Sequence, residues 1–398
     1  MLSVLLFEDL GLLLDTMSSA SSAMAGRLRP RPAMIEAGDR YSVAALEGAD
    51  AVERAAADWH QLESNGAAAT PFQSLAIARA AAEAHHRRGD IPRVIVVRHG
   101  DRPAVILPTV LSRQLGFRVA RLLGDPLIQY GDAICEAGTA RRLIEAALHA
   151  ASDGADVLHF RKVRDDARIA PLLRERAFAS NRDEAPFLDL THAPVAAAEE
   201  PRQLRRARRK LSSFGPLRLD VTDGKAARHH LRDALMLKRR WLQARRLPSG
   251  VIGNEHWEQA LERLVHHDGA MRLQVAVLYV ADRAAGYEVA FTVGDHWYAF
   301  IGAIADDFAR HSPGRVQVAE TIAWCRANGF RRYDLLAPAD DAKRSYCNAA
   351  AAVADYACAL RPGGHVLTTA LRLSPAAKAL FFRMPAPLRR LALGVAGR

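Results

Sequence analysis

Residues 271–304, MRLQVAVLYVADRAAGYEVAFTVGDHWYAFIGAI, carry the pattern that decides the fold class of this chain. From Leu273 to Tyr279 apolar residues recur at every second position, which is typical of a β-strand. Turn signals at 281–283 and 294–295 divide the stretch into three strands joined by hairpins. A three-stranded antiparallel meander is therefore predicted here.

A turn that opens a helix follows the meander. Residues 311–314 read His-Ser-Pro-Gly, and proline is favoured in the first turn of a helix. The apolar positions after this turn predict a helix that ends at Asn328-Gly329, a good C-cap. A short apolar strand at 333–337 then precedes Lys343.

The first turn of this helix is a candidate anion site. Backbone N–H groups at a helix N-terminus point towards a bound anion, and the helix dipole favours negative charge there. Plain helix initiation explains the same Ser-Pro-Gly pattern, so the local sequence leaves both interpretations open. The residues that would bind a phosphorylated cofactor are Ser312, Pro313, Gly314, Arg315 and Val316.

Taken together, these pieces resemble the CelD-type acyltransferases associated with cellulose biosynthesis. That family belongs to the GNAT superfamily and is related to the FemAB aminoacyl transferases. The matching pieces are the basic run 202–210, Lys238 with Trp241, the turn 312–314 and Lys343. Weaker matches lie at 106–108 and 123–126. The resemblance spans residues 70–360, and it rests on order and spacing rather than on one motif.

The resemblance implies an α+β (mixed α/β) fold with two tandem GNAT-like lobes. Each lobe would be a mostly antiparallel twisted sheet flanked by helices. The order of predicted elements repeats once along the chain, which fits a tandem but is shared by many α+β domains. The predicted divisions are a poorly ordered extension at 1–38, lobes at 39–195 and 196–365, and a basic amphipathic tail at 366–398.

Two helix predictions in the first lobe are specific enough to be checked. The Ala-rich residues 42–62 predict a helix, with Trp59 and Leu62 on one face. Thr70 before Pro71 predicts the N-cap and first turn of another helix.

Acyl transfer from a thioester needs donors for the developing oxyanion and a group that accepts the proton of the nucleophile. The resemblance implies that splayed strands near 300–304 expose the backbone donors. Glu288 lies in mid-strand, where a charge is costly without a purpose, and it is the preferred general base. Lys343 is the predicted cation near the carbonyl or donor phosphate, and Tyr346 the acid that protonates the thiolate. A surface lysine and a packing tyrosine explain the last two equally well.

The expected donor is an acyl-CoA, in particular acetyl-CoA, and the acceptor an amine or hydroxyl of a saccharide or cell-envelope precursor. Val316 and Gln317 depart from the small residues usual in the superfamily's phosphate loop. An aminoacyl-tRNA-dependent transferase and a non-catalytic accessory protein of exopolysaccharide or cellulose synthesis therefore stay open as alternatives. The residues predicted to bind substrate are Lys238, Trp241 and Arg206.

The formal net charge is +11 and the sequence pI is near 9.9, which favours an anionic partner. The run 202–210 carries six basic residues in nine positions, as a solvated helix also would. No aromatic residue interleaves with it, which argues against single-stranded nucleic acid. The resemblance leaves tRNA as the nucleic acid to consider.

Other site classes find no support in the sequence. There is no nucleophile elbow, phosphate loop or dinucleotide fingerprint. The four cysteines lack paired metal or redox spacing, so no metal is predicted and a reducing cytoplasm is expected. No apolar run reaches the ~18 residues of a membrane span. The basic tail beyond 376 could lie on an anionic membrane at its inner face, or pack on the protein itself.

Overall fold

The computed structural model describes residues 41–66, 70–191, 201–267 and 269–383, with side chains placed as far as residue 373. Contacts divide the chain into two compact units. The first unit comprises the described residues up to 183 and those from 352 onward, and the second comprises residues 184–351. The predicted extension and the end of the predicted tail lie outside the described residues.

The secondary structure is mixed. The strands are β1 (Tyr41–Glu47), β2 (Ile91–His99), β3 (Arg102–Gln114), β4 (Phe117–Leu122), β5 (Val157–Arg164), β6 (Phe178–Asp189), β7 (Leu217–Thr222), β8 (Met271–Val280), β9 (Arg283–Val293), β10 (His296–Ile304), β11 (Arg332–Asp334) and β12 (Ala349–Ala359). The α-helices are α1 (Ala51–Arg54), α2 (Ala56–Ser64), α3 (Leu75–Arg87), α4 (Arg141–Ser152), α5 (Ala170–Arg176), α6 (Arg202–Ser212), α7 (Gly224–Arg245), α8 (Glu255–Leu264), α9 (Pro313–Ala327), α10 (Asp341–Arg344) and α11 (Gly364–Arg383). Short 3₁₀ turns cover Pro71–Gln73 and Asp306–His311.

The sheet of the first unit has the strand order β1-β2-β3-β4-β5-β12. Strands β1 to β4 pair antiparallel, and β12 pairs antiparallel with β5. The exception is β4 with β5, which run parallel where Val119 and Ala120 face Val157 and Leu158. Helix α4 connects these two strands and contacts β2 and β3.

The second unit repeats this arrangement with the order β6-β11-β10-β9-β8-β7. Strands β7 to β10 form the predicted antiparallel meander, and α9 connects β10 to the parallel strand β11. Helices α6 and α9 pack together, with Leu211 and Val316 in one apolar cluster over β8 and β9. Helix α7 contacts β8, β9 and β10. The predicted fold class, mostly antiparallel sheets flanked by helices in two tandem lobes, is confirmed.

The helix predicted over 42–62 is wrong at its start. Residues Tyr41–Glu47 form β1, which pairs with β2 from Tyr41 opposite His99 to Glu47 opposite Arg93. Helical structure begins only at Ala51. Alanine-rich sequence favours a helix, but the hydrogen-bonding partner that β2 offers decides the local structure here.

The second helix begins four residues later than predicted, at Leu75 instead of Pro71. Pro71 opens only a short 3₁₀ turn, and the side chain of Thr70 donates to Gln73 Oε1 rather than capping a helix. Ser74 is the actual N-cap of α3, because its Oγ accepts a hydrogen bond from the backbone N–H of Ile77 at 3.3 Å.

The unit boundaries differ from the predicted lobe limits of 195 and 365. The contacts divide the chain after residues 183 and 351. The chain returns to the first unit there because β12 pairs with β5, with Tyr356 opposite Phe160. Sequence reasoning did not foresee that a strand distant in sequence completes the first sheet.

Candidate active site in the second unit

The second unit has a split between β10 and β11. The two strands pair only where His296, Trp297 and Tyr298 face residues 332–334. Residues 299–304 of β10 continue beyond the end of β11, paired to β9 on their other side. The register with β9 shifts between Ala299 and Ile301, so Phe300 forms a bulge inside this segment. Bulges commonly occur next to active sites, where they redirect backbone groups.

Lys238 reaches this split segment from α7. Its ammonium group donates to the carbonyl oxygen of Gly302 at 2.9 Å and lies 4.8 Å from the ring centre of Trp241. Lys238 is only 9% exposed, whereas Trp241 is half-buried and also contacts Arg245. The structure thus brings two predicted substrate residues together at the split.

The predicted phosphate-binding turn is a helix start. Ser312 is the N-cap of α9 in the left-handed region (φ 57°), with no side-chain cap. Pro313, Gly314 and Val316 are buried, and Ser312 is exposed. The Ser312 hydroxyl makes no cap bond, Pro313 has no N–H group, and the backbone N–H of Arg315 donates to the carbonyl oxygen of Ser312 at 3.1 Å. An anion at this helix start would therefore be bound through the N–H groups that remain in the first turn.

Tyr346 lies beside this helix start. Its hydroxyl group donates to the carbonyl oxygen of Arg315 at 3.4 Å. Burial raises the pKa of Tyr346 above its ordinary value, although Arg315 opposes the shift. The hydroxyl therefore stays protonated at neutral pH, as a proton donor must.

Lys343 is engaged with the loop that follows β11. It is 7% exposed, and its ammonium group donates to the carbonyl oxygens of Leu336 at 2.8 Å and Pro338 at 2.9 Å. Leu336 has a left-handed backbone (φ 59°). The ammonium group therefore stabilises this turn, which places Lys343 in a structural environment rather than on the surface.

Glu288 joins three strands at the base of the split. It lies on β9, is 4% exposed, and accepts hydrogen bonds from Trp297 Nε1 at 2.8 Å and the Tyr333 hydroxyl at 2.7 Å. Trp297 of β10 and Tyr333 of β11 are partners in the short parallel pairing. Burial raises the pKa of Glu288 to about 7, although the two hydrogen bonds act in the opposite direction.

The surroundings of Glu288 differ from those expected for a general base. Trp297 and Tyr333 are themselves fully buried, in a cluster with Cys325 of α9. Both carboxyl oxygens have donors, so direct contact with an acceptor would require the core to open. The geometry favours a residue that holds β10 and β11 together just before they separate.

Arg206 lies away from these contacts, on the exposed face of α6. The buried face of α6 consists of Leu204, Ala207 and Leu211, and Arg208 forms an ion pair with Glu320 of α9. The other basic residues, all exposed, are Arg202, Arg205, Arg206, Arg209 and Lys210. Arg206, which was predicted to bind substrate, is therefore not one of the residues that lie at the split.

Sequence reasoning missed Asp334, the last residue of β11. It is fully buried, and its two oxygens accept from Arg332 Nη2 and the backbone N–H of Leu336, each at 2.8 Å. Arg332 also covers the ring of Phe187 at 3.6 Å. An aspartate after an aromatic residue at the end of a short strand was the available signal, because a charge there needs partners.

In the first unit, the strands that correspond to β10 and β11 are the parallel pair β4 and β5. A buried ionic cluster follows β4. Asp125 is 2% exposed and accepts from Arg121 at 2.8 Å and Arg161 at 3.2 Å. Burial alone would raise the pKa of Asp125, but these arginines outweigh it and hold the pKa below its usual range. The weakly matching segment 123–126 thus takes part in the interior of the first unit.

Neither a metal centre nor a membrane span is found over the described ranges. Those ranges contain no group of three or more His, Cys, Asp or Glu side chains placed to hold a metal ion. None of the helices within them has the length and apolar character of a membrane span.

A family comparison bears on the second unit. Residues 200–344 match the family model of the acetyltransferase (GNAT) domain. This part of the chain is therefore similar to GNAT domains. The match includes α9, the split between β10 and β11, and Lys343, and it supports a transferase. The search of curated proteins found no match.

Solved structures share the fold over most of the chain. The C-terminal domain of an Agrobacterium fabrum protein assigned as a lysylphosphatidylglycerol synthetase is 11% identical, with a TM-score of 0.54, over 81% of this chain and 97% of that chain. L-PGS from Bacillus licheniformis is 13% identical, with a TM-score of 0.54, over 79% and 96%. FemX is 11% identical, with a TM-score of 0.53, over 75% and 94%.

At these identities the likeness concerns the fold alone. The predicted relation to the GNAT and FemAB group is thereby supported as far as the domain match over 200–344 and a fold shared with FemX. The more specific CelD-type assignment stays a prediction, as does the membrane contact of the tail.

Proposed function

We propose that the chain is an acyltransferase that moves an acyl group, in particular acetyl, from an acyl-CoA to an amine or hydroxyl. The acceptor we propose is a saccharide or cell-envelope precursor, on the resemblance alone. The observation that carries the proposal is the short β10–β11 pairing, which leaves the bulged segment 299–304 beyond the end of β11. The GNAT-type domain match supports the same reaction class.

The backbone of the split segment has the chemistry that the reaction requires. N–H groups around the Phe300 bulge would hold the thioester carbonyl oxygen as it gains negative charge. Lys238 would fix this backbone through its hydrogen bond to Gly302. The first turn of α9 would hold the diphosphate of the donor, because helix N-termini favour anions.

Of the three residues predicted to be catalytic, only Tyr346 keeps its role in this proposal, and Lys343 and Glu288 take structural roles. Tyr346, which retains its proton, would protonate the departing thiolate of the donor, and the proton that the acceptor amine or hydroxyl loses would return through water to Tyr346. Lys343 would keep the loop after β11 in place through its two carbonyl contacts. Glu288 would position Trp297 and Tyr333 at the base of the split.

The donor site is tested by the substitution Ser312→Asp. An acidic N-cap favours the helix, and aspartate tolerates the left-handed backbone at this position. The same carboxylate would repel a diphosphate. We expect acetyl-CoA affinity, measured by isothermal titration calorimetry, to fall at least about tenfold while the thermal midpoint stays near that of the wild type.

Asn181→Asp is the control, since it makes the same change in charge at an exposed position near the start of β6, in the part of that strand that precedes residue 184 and belongs to the first unit. It should leave acetyl-CoA affinity unchanged. Equal affinity in the wild type and Ser312→Asp would contradict the site, and absence of acetyl-CoA binding by the wild type would contradict the proposed donor.

A second candidate function is aminoacyl-tRNA-dependent transfer. The exposed basic face of α6 favours it, because five cations exceed what the phosphates of a single small cofactor require. The apolar side of the same helix packs on α9, whose first turn is the proposed donor site. In this version of the reaction the acyl group would be an aminoacyl group.

A further inference from the structure

Helix α11 has apolar residues on two of its sides. On the inner side, Leu367 is 3% exposed and packs with Val157 of β5, and the partly buried Leu371 packs against the same cluster. On the outer side, Val366 is 68% exposed and Leu373 is 62% exposed. These two residues are seven positions apart, so two helical turns place them on one line along the helix. This outer line is an apolar surface that the first unit leaves exposed.

The rotation of α11 about its axis is fixed by contacts with the first unit. Gly364 opens the helix, and a Cβ there would lie 2.2 Å from the carbonyl oxygen of Asp156. The guanidinium group of Arg372 lies 4.2 Å from the ring centre of Phe178 on β6. Because the helix cannot rotate without losing these close contacts, the outer line stays exposed.

The charge of this part of the sequence has a single sign. Residues 364–398 contain six lysines and arginines and no aspartate or glutamate. The helix start touches one acid, Asp156, whose carboxylate forms ion pairs with Arg118 at 3.4 Å and Arg361 at 3.8 Å. Large apolar residues continue in the sequence after the described side chains, as at 380–382. An exposed apolar line in a basic segment complements a surface that is apolar inside and negatively charged outside.

We propose that the outer line of α11 lies on an anionic membrane surface. Val366 and Leu373 enter the boundary between headgroups and acyl chains, and the basic residues of 364–398 attract the negative headgroups. The sequence left membrane contact and packing on the protein as alternatives, whereas α11 has one side for each. The inference does not depend on the proposed reaction, because α11 belongs to the first unit and the domain match ends at residue 344.

The experiment measures binding of the whole chain to lipid vesicles by co-sedimentation. Vesicles of phosphatidylglycerol and phosphatidylcholine in equal parts are compared with vesicles of phosphatidylcholine alone. We expect at least about tenfold stronger binding to the anionic vesicles, and this preference should weaken as the salt concentration is raised. Leu373→Asp should weaken binding to the anionic vesicles at least about tenfold, because it places a negative charge where the apolar line enters the membrane.

Val366→Asp tests the same line without disfavouring the helix. Val366 lies in the first turn of α11, where an acidic side chain stabilises helical structure. This variant should also bind the anionic vesicles at least about tenfold more weakly. Met236→Asp is the matched control, because Met236 is an exposed apolar residue of α7 in the second unit and the change in charge is the same. It should bind within about twofold of the wild type.

The possible outcomes decide between a membrane and other partners of this surface. Equal binding to both kinds of vesicle, or binding to neither, would overturn the inference. It would also be overturned if Leu373→Asp and Val366→Asp bound the anionic vesicles as strongly as the wild type does. If the wild type is a dimer in solution that Leu373→Asp dissociates, a second copy of the chain covers the outer line instead of a membrane. Acetyl-CoA affinity should be the same in both variants and the wild type, so the proposed function is tested separately.

Discussion

Glu288 shows how a single buried carboxyl group can organise three strands. It extends from β9 and accepts hydrogen bonds from one residue of β10 and one of β11. Burial disfavours its charged form, and this is why its pKa is raised from 4.5 to about 7. The mid-strand glutamate was recognisable in the sequence as unusual. Its two partners were not, because they come from strands nine and forty-five residues away.

The raised pKa makes stability depend on pH in a defined direction. Between pH 4.5 and about 7 the folded state keeps a proton that the unfolded state releases, so the free energy of unfolding falls as pH rises. Glu288→Gln removes this titration. The stability of the variant relative to the wild type should therefore increase between pH 5 and pH 8, by about 2–3 kcal/mol at most. Urea unfolding followed by tryptophan fluorescence at the two pH values measures the change.

Asp282→Asn is the control for this experiment, since Asp282 is an exposed acid in the turn before β9. Its difference from the wild type should be the same at both pH values. Parallel pH dependence of Glu288→Gln and the wild type would mean that Glu288 titrates as an ordinary carboxyl group.

Lys343 is expected to contribute to stability through its two carbonyl partners. Lys343→Met keeps most of the side-chain volume but leaves the carbonyl oxygens of Leu336 and Pro338 without this donor. The loss should be about 2–3 kcal/mol in the free energy of unfolding, measured with urea at neutral pH. Lys225→Met, at an exposed position of α7, should have little effect. If the two variants prove equally stable, the buried contacts of Lys343 contribute nothing net.

At the scale of elements, the packing of α6 against α9 determines which residues of α6 are exposed. Local sequence favoured a helix over the basic run at 202–210, because its apolar residues recur at helical spacing among strong helix formers. Local sequence did not show which of its basic residues would be exposed. That depended on α6 packing against α9 and on the Arg208 ion pair with Glu320.

The exposed face of α6 should govern any binding of tRNA. The triple substitution of Arg205, Arg206 and Arg209 by alanine should weaken tRNA binding and reduce its dependence on salt, by ~0.7–0.9 in log–log slope for each lost phosphate contact. Filter binding between 50 and about 200 mM salt measures the slope. Stability should change by less than about 1 kcal/mol, because the three side chains are exposed.

A matched triple variant carries Arg88→Ala, Arg113→Ala and Arg182→Ala, three exposed arginines of the first unit. It lowers the net charge equally and should leave the slope near that of the wild type. Equal slopes in both triple variants would show a general effect of charge and would remove α6 as the binding surface.

At the scale of the whole molecule, the first unit consists of two separate stretches of the chain, with the second unit between them in sequence. Strand β12 follows the second unit in sequence but pairs with β5 in the first. Tyr356→Ala removes a 6% exposed side chain opposite Phe160 and should destabilise the first unit by about 3 kcal/mol. Hydrogen exchange should therefore become faster in β5, while protection of β8, β9 and β10 stays as in the wild type.

Val366→Ala supplies the control, since Val366 is 68% exposed on α11 in the same unit. It should leave exchange unchanged in both units. Equal acceleration in β5 and β9 after Tyr356→Ala would mean that the two units open as one cooperative body.

The sequence by itself determined the second unit's meander, the helix that starts at Pro313, and the expectation of a GNAT-like fold. Alternating and helical periodicity are local, and hairpin turns bring neighbouring strands together without distant information. Tertiary structure alone decided that residues 41–47 are a strand, that β12 completes the first sheet, and that Glu288 and Lys343 are buried. The strand at 41–47, β12 and Glu288 depend on hydrogen-bonding partners on other strands, about which local propensity carries no information. The carbonyl partners of Lys343 lie only five and seven residues away, but they converge on its ammonium group only because of the way the loop after β11 folds.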